Sequence, residues 1–308
     1  MPSAIPQRIA FWGSSLLALE MAAALSRAGT EAIIVEPDPH DRERLSAILS
    51  RARAHVALHA DFPALPYDLI FDAGTLPLRP FPPAPLATLS PARTIPQALA
   101  VDLHHLPGLP PLLEVGLPKP GSDLSGLSNA LGASLALRQG TGPSPGARLQ
   151  NALWRAADDA LLNGATLWEI DEDLEAAGFA IGPYAAQDIC GLEWALILRK
   201  LLSPHCKNPI TPRAYAEGRI GRALGWGWYR YPGGGGRVID PLTEDMATEE
   251  ARFAGITPEN RPMPEIRAAL LAAIQSEARA LTSEGVSPET IRLAASLALG
   301  CPASLLPL

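Results

Sequence analysis

Residues 8–38 read RIAFWGSSLLALEMAAALSRAGTEAIIVEPD, and this stretch decides the fold class. Arg8 to Trp12 is a short apolar run that stops at Gly13. Leu16 to Ala28 has helix formers throughout and an apolar face at helical spacing. Gly29 is a suitable helix stop. Ala32 to Val35 is a second apolar run, closed by Glu36-Pro37-Asp38. Strand, turn, helix, strand and acidic end make a βαβ unit of about 30 residues.

Working outward, Pro39 to Ala54 reads as a polar helix rich in Arg and Glu, with Val56–Leu58 and Tyr67–Phe71 as further strands. Between Pro77 and Pro120 there are 12 prolines in 44 residues. Such a segment cannot hold long helices, which leaves Ala98–Leu103 and Leu112–Leu117 as short strands. The composition changes after Pro120. Leu124–Leu137 predicts a helix and Gln139–Gly146 a loop. From Arg148 the pattern is helical, over Arg148–Asn163, Trp168–Ala177 and Ala185–Leu202, and again over Glu265–Glu284 and Pro288–Leu299. The expectation is an α/β Rossmann-like N-terminal domain over residues 1–142 and an all-α domain over 143–308.

The all-α part contains an echo. The run Asn151 to Gly164 is followed by a helix that ends at Gly178, and the run Ala268 to Gly285 by a helix that ends at Gly300. Both then reach a proline, Pro183 and Pro302. The agreement predicts two related helical halves, over about 147–240 and 262–308.

Composition sets outer bounds. With 47% hydrophobic and 19% charged residues among 308, global disorder is excluded. Basic minus acidic residues is 25 − 32 = −7, which argues against nucleic acid as the main partner. Cys190, Cys206 and Cys301 lie far apart, without metal spacing, as expected in a reducing compartment. Met1 to Gln7 shows no signal-peptide pattern, and no run of about 18 apolar residues would span a membrane. A cytoplasmic protein is the expectation.

Three constellations could carry chemistry. The first βα turn, Gly13-Ser14-Ser15-Leu16-Leu17-Ala18, approximates the Gly-x-Gly-x-x-Gly/Ala loop that cradles a dinucleotide pyrophosphate. Gly13 suits the tight turn and Ala18 the close helix–strand packing, while Ser15 stands where the second glycine is wanted. Glu36 ends the second strand, where a carboxylate accepts the ribose hydroxyls of NAD and repels the 2′-phosphate of NADP. The alternative for Glu36 is a solvated acid. His104 and His105 follow a strand, and Glu114 comes ten residues after His104. An imidazole oriented by a carboxylate makes a general base near pH 7; the alternative is a surface histidine with an unrelated acid. His40, His55, His59 and His205 lack such partners, and no pattern points to a metal. Finally, Gly218 to Tyr231 reads GRIGRALGWGWYRY, a tight turn locked by ring burial, followed by a flexible loop at Gly233–Gly236.

These residues together resemble the 3-hydroxyacyl-CoA dehydrogenases, most closely the dehydrogenase part of the bifunctional β-oxidation enzymes, without their hydratase domain. The opening βαβ, LHHLPGLPPLLEV (residues 103–115), ALLNGATLWEIDEDLEAAGFAIGPYAAQDICGL (160–192) and GRIGRALGWGWYRY (218–231) carry the likeness. The resemblance implies His104 as catalytic base and Glu114 as its carboxylate partner. It places Ser90 where the family has an Asn-Thr-Ser-Ser segment, and Gln150, or Asn151 with a one-residue slip, where it has an Asn. It implies NAD as cofactor, held by Gly13, Ser15, Ala18 and Glu36, and an acyl-CoA substrate oxidised from the 3-hydroxy to the 3-keto thioester. It also implies a homodimer or association with other β-oxidation enzymes. The departures at Ser15, at the Asn-Thr-Ser segment and at the helix replaced by Leu76–Pro85 leave an alternative, a catalytically impaired paralogue that binds acyl-CoA or a partner protein without turnover.

Overall fold

The computed structural model describes residues 5–307 except 91, 92, 94, 96, 118–123 and 260. The chain divides into two compact units, one of residues 1–103 and 110–144, the other of 104–109 and 145–308. The reading from sequence put the change at 142/143 and kept 104–109 with the first unit.

In the first unit the elements run β1 (Arg8–Trp12), α1 (Leu16–Arg27), β2 (Glu31–Val35), α2 (Pro39–Arg51), β3 (Ala57–His59), β4 (Leu69–Asp72), β5 (Leu86–Thr88), β6 (Leu99–His104), β7 (Leu112–Leu117), α3 (Ser125–Leu131) and β8 (Ser134–Gln139). The strands form one sheet of order β3-β2-β1-β4-β5-β6-β7-β8. β1 pairs in parallel with β2 on one side and β4 on the other. This is the Rossmann-like order, with its switch point between β1 and β4.

Alternation along β1 explains both faces. Ile9 and Phe11 pack with Met21 and Leu25 of α1, Leu45 and Leu49 of α2 and Leu127 of α3. Ala10 and Trp12 point the other way, with Ile33, Val35, Tyr67 and Ile70, and are covered by Phe62, Leu76, Phe81, Ala84 and Leu86. The proline-rich chain therefore covers a face that helices cover in doubly wound folds.

Two readings need correction here. The helix expected over Leu124–Leu137 ends at Leu131, because Gly132 takes a left-handed cap (φ 61°), and Ser134–Gln139 continues as the edge strand β8, paired in parallel with β7. The short strand β5 was hidden among the prolines.

The second unit holds α4 (Pro145–Leu162), α5 (Leu167–Ala176), α6 (Pro183–Cys190), α7 (Leu192–Leu202), α8 (Ile210–Ala216), α9 (Pro241–Phe253), α10 (Met263–Ser283) and α11 (Pro288–Ala298). The single helix expected over Ala185–Leu202 is broken at Gly191, whose φ of 87° no helix interior allows. Helices α8 and α9 escaped the reading.

The pairs α4/α5 and α10/α11 end alike. After α4, the amides of Gly164 and Ala165 donate to Leu161 and Ala160; after α10, those of Gly285 and Val286 donate to Thr282 and Leu281. A Cβ on Gly178 would sit 3.4 Å from Pro302, and one on Gly300 2.9 Å from Ala180. Each terminal glycine thus packs on the residue two places beyond the other. The two helix pairs thus end in the same way and meet at their terminal glycines.

Candidate functional site

The βα turn of the first unit is built by its own side chains. Gly13 takes φ 90°, and its amide donates to Val35 O at 3.0 Å. Ser15 caps α1: its Oγ accepts from Ala18 N at 3.2 Å. The Ser15 hydroxyl, placed in the sequence reading among the cofactor-binding residues, here serves the helix. Ala18 is fully buried, as close packing of α1 on the sheet requires. Glu36 lies at the end of β2 but is not the solvated acid of the alternative: it is 2% exposed. One of its carboxylate oxygens accepts from Ser14 Oγ at 3.2 Å, the other from Asp38 N at 3.3 Å.

Across the switch point the loop after β4 leans over this turn. Ser14 N donates to Thr75 Oγ1 at 3.0 Å. A Cβ on Gly13 would lie 2.2 Å from that oxygen and 3.4 Å from Leu76 Cγ. The loop is tied down elsewhere. Arg93 donates to Asp72 Oδ1 at 2.8 Å, to Gly74 O at 2.8 Å and to Leu76 O at 2.6 Å. Trp12 Nε1 donates to Pro77 O at 2.9 Å, and the Arg79 guanidinium lies 5.3 Å from the Trp12 ring. Burial pushes the Asp72 carboxyl up, with Arg93 opposing the rise. The acid at the end of β2 and the start of α1 suit a dinucleotide, and Thr75 Oγ1 stands close against the tight-turn glycine beside them.

The expected catalytic residues are distributed as follows. His104 ends β6 and Glu114 lies in β7, the neighbouring strand; both are buried. Ser90 sits beside Gly74, where a glycine Cβ would come within 2.6 Å of Ser90 Cβ, and its amide donates to Thr88 Oγ1 at 3.1 Å. Pro91 and Ala92, which follow it in the chain, lie outside the described residues. Gln150 is 1% exposed in α4, with Nε2 donating to Ala298 O at 2.9 Å and Oε1 accepting from Trp194 Nε1 at 3.0 Å. Both ends of its amide tie helices together. Its neighbour Asn151 donates to Ser203 Oγ at 3.0 Å.

The aromatic turn of the second unit is organised by two buried aspartates that the sequence reading quoted without assigning a role. Asp188, at the end of α6, accepts from Trp228 N (2.7 Å), Tyr229 N (2.9 Å) and Tyr231 OH (2.9 Å). Asp171 of α5 accepts from Tyr184 N, Ala185 N and Tyr229 OH at 2.8 to 2.9 Å, capping α6. Burial pushes both carboxyls up to about 7, against these hydrogen bonds. Arg219, 1% exposed, donates to Gly227 O, Asp240 and Thr243. Deeper in the helices Asp158, Arg199 and Thr211 make a buried cluster. These groups are consumed by structure. The ring lock expected from sequence is present, with Trp228, Tyr229 and Tyr231 all buried, and Gly233 and Gly234 in the loop that follows take positive φ, 62° and 75°.

Residues 146–231 match the model of the family described as "3-hydroxyacyl-CoA dehydrogenase, C-terminal domain". Among relatives, the peroxisomal bifunctional enzyme of Cavia porcellus is 29% identical over 166 residues, covering 47% of this chain and 23% of its own length. The Homo sapiens enzyme of the same name is 30% identical over the same shares. The chain thus spans about a quarter of the length of these relatives. Among solved structures, the dehydrogenase part of multifunctional enzyme 1 from C. elegans superposes with a TM-score of 0.58 at 17% identity, over 96% of this chain and 78% of that one. The 3-hydroxybutyryl-CoA dehydrogenase of Escherichia coli gives 0.59 at 18% identity, over 96% and 89%. At such identities these superpositions speak for the fold. Residues 146–231 of the second unit are thus similar to the C-terminal domain of the 3-hydroxyacyl-CoA dehydrogenases, and the chain resembles the dehydrogenase part of the bifunctional enzymes of that family.

Proposed function

We propose that this chain is an NAD-dependent 3-hydroxyacyl-CoA dehydrogenase-like oxidoreductase, oxidising a 3-hydroxyacyl thioester to the 3-keto form. The observation that carries the reading is the family domain over residues 146–231, whose Asp-x-x-Gly-Leu and Gly-x-Gly-aromatic segments assemble around Asp171 and Asp188. On this reading His104 takes the proton of the 3-hydroxyl, and Glu114 orients the ring and favours the imidazolium as it forms. Oxidation also needs a hydride acceptor, and NAD is the one implied by Glu36 and by the family. Ser90 and Gln150 stand as further candidates, Gln150 with its amide committed to packing.

The test is formation of NADH from 3-hydroxyacyl-CoAs of several chain lengths, followed at 340 nm, with the His104→Ala variant alongside. Turnover that falls by about 10² to 10⁴-fold in the variant is expected, the usual worth of a general base. Absence of turnover with every chain length, in both directions, defeats the reading. One observation favours a second reading, a paralogue that binds acyl-CoA or a partner protein without turnover: the contact of Thr75 over Gly13. Acyl-CoA binding in calorimetry without any NADH formation would select it. A cytoplasmic location, and a homodimer or association with other β-oxidation enzymes, belong to the same proposal. Cell fractionation and sedimentation decide these, the first with particular point because the relatives are named peroxisomal.

A further inference from the structure

In open α/β sheets a ligand binds outside the carboxyl ends of the strands, in the crevice where the strand order reverses. Here that crevice lies between the ends of β1 and β4, neighbours from which the order runs outward to β3 on one side and toward β8 on the other. The residue just beyond β1 is Gly13, the glycine of the tight turn at the mouth of that crevice. The space against this turn is taken from within the same unit. Thr75 Oγ1 would stand 2.2 Å from a Cβ on Gly13, and it accepts the Ser14 amide at 3.0 Å. An oxygen that accepts a backbone N–H at this turn does what a phosphate oxygen does in a dinucleotide site.

The geometry points to Thr75 as an internal occupant of the dinucleotide crevice, so that the first unit has a closed form in which a strap of residues 73–79 holds Thr75 against the turn, and Thr75 must leave Ser14 before a cofactor's pyrophosphate can enter. This inference rests on the reading that the unit takes NAD. The strap has a fixed end and a free point. Its fixed end is Arg93, which holds Asp72 and the carbonyls of Gly74 and Leu76, backed by Trp12 on Pro77. Gly74, at φ 81°, lets the strap turn past Ser90, where any side chain would collide. Its free point is Thr75, which is exposed although Asp72 and Ala73 just before it are buried. Thr75 can therefore leave Ser14 without opening either apolar core. Ser15 adds nothing to the closure, because its hydroxyl is turned to Ala18.

The experiment is titration of the full chain with NADH, using wild type, Thr75→Ala and Thr75→Ser, together with amide exchange at Ser14 in the absence of nucleotide. Thr75→Ala should bind NADH roughly 5- to 10-fold more tightly than wild type, the scale of one hydrogen bond released. Thr75→Ser keeps the acceptor oxygen and should bind as wild type does. Ser14 exchange should be slowed in wild type and in Thr75→Ser, and faster in Thr75→Ala. Equal NADH affinity in wild type and Thr75→Ala overturns the latch and leaves the cofactor reading standing. An unprotected Ser14 amide in wild type also overturns it. Absence of NADH binding in all three proteins removes the latch and the cofactor reading together. Unchanged thermal melts of the variants show that the fold is not what moved.

Discussion

The turn after β1 and the aromatic turn after α8 both satisfy backbone N–H groups with side-chain oxygens, and they use different chemistry to do so. In the second unit the acceptors are carboxylates without solvent contact: Asp188 holds two amides and a phenol of the 228–231 turn, Asp171 the start of α6. In the first unit the acceptor is the hydroxyl of an exposed threonine. A buried carboxylate with three donors is costly to remove, since each donor is left unsatisfied away from water. An exposed hydroxyl can be replaced by water, at no more than about the 1 kcal/mol that one hydrogen bond contributes. The difference separates a turn that is framework from a turn that is open to exchange.

The comparison breaks first at Asp188. Asp188→Ala strands the amides of Trp228 and Tyr229 and the hydroxyl of Tyr231, all in buried residues. At about 1–3 kcal/mol for each unsatisfied buried donor, a loss of at least ~3 kcal/mol is expected. Urea unfolding followed by tryptophan fluorescence measures it. A loss below about 1 kcal/mol would mean that the carboxylate is not what holds the turn.

The glycines facing these carboxylates come next. A Cβ on Gly227 would lie 2.0 Å from Asp188 Oδ1, and one on Gly182 within 2.6 Å of three Asp171 atoms, one of them the backbone Cα. Gly227→Ala and Gly182→Ala should each destabilise by about 1–3 kcal/mol, as overpacking does. Gly233→Ala has open space around its Cβ and bears only the strain of φ 62°, so it should cost about 1 kcal/mol. The same unfolding measurement ranks the three. Equal losses in all of them would show that the fit around the carboxylates is looser than these distances.

Protons sharpen the contrast further. Asp171 and Asp188, pushed up to about 7, keep protons in the folded state that an unfolded chain releases near pH 4. Between those values the folded state binds more protons, so stability falls as pH rises from about 4.5 to 7 and levels off above it. Each group contributes at most about 1.4 kcal/mol per pH unit in that window. Glu175, Asp240 and Glu284 have carboxyls held below the usual range, so their contribution is complete above about pH 4.5 and does not cancel the fall. Unfolding free energies at pH 5, 6 and 7 test this. A profile that rises through the window would mean that the donors around Asp171 and Asp188 outweigh burial.

What could be read from sequence follows the range of the interactions concerned. β1, α1, β2, α10 and α11 were legible because their periodicity and stops are local. The early end of α3 was misread because the left-handed turn at Gly132 looks, in one dimension, like a glycine tolerated in a helix. The break at Gly191 has the same cause: Gly191 turns out of the helix and Leu192 N donates to Ile220 O, 28 residues away in sequence. At the site, Gly13, Ala18 and Glu36 were visible through a known loop pattern. Thr75 was not, because its contact with Ser14 spans 61 residues. The one available signal was its place just past the strand that had to neighbour β1. Asp171 and Asp188 were on the page as letters of a motif, but their donors lie up to 58 residues away.

The smallest expected effect is at Ser15, and it decides which feature separates this loop from an open one. Read from sequence, the Cβ of Ser15 is the obstacle to a pyrophosphate, and Ser15→Gly should then raise NADH affinity. Read from the structure, Ser15 is an N-cap with φ −64° and its oxygen on Ala18 N, while Thr75 stands over Gly13. Glycine is itself an acceptable N-cap, so Ser15→Gly should cost only a few tenths of a kcal/mol of stability. It leaves the Ser14–Thr75 bond in place, so NADH affinity should change by less than about twofold, the scale of those same few tenths. In the double variant with Thr75→Ala, the affinity should equal that of Thr75→Ala alone within the same factor. If Ser15→Gly by itself gives the larger gain, the serine is the barrier and the threonine contact is incidental. If the gain appears only in the double variant, serine and threonine close the crevice jointly, and neither residue alone accounts for the departure from the open loop.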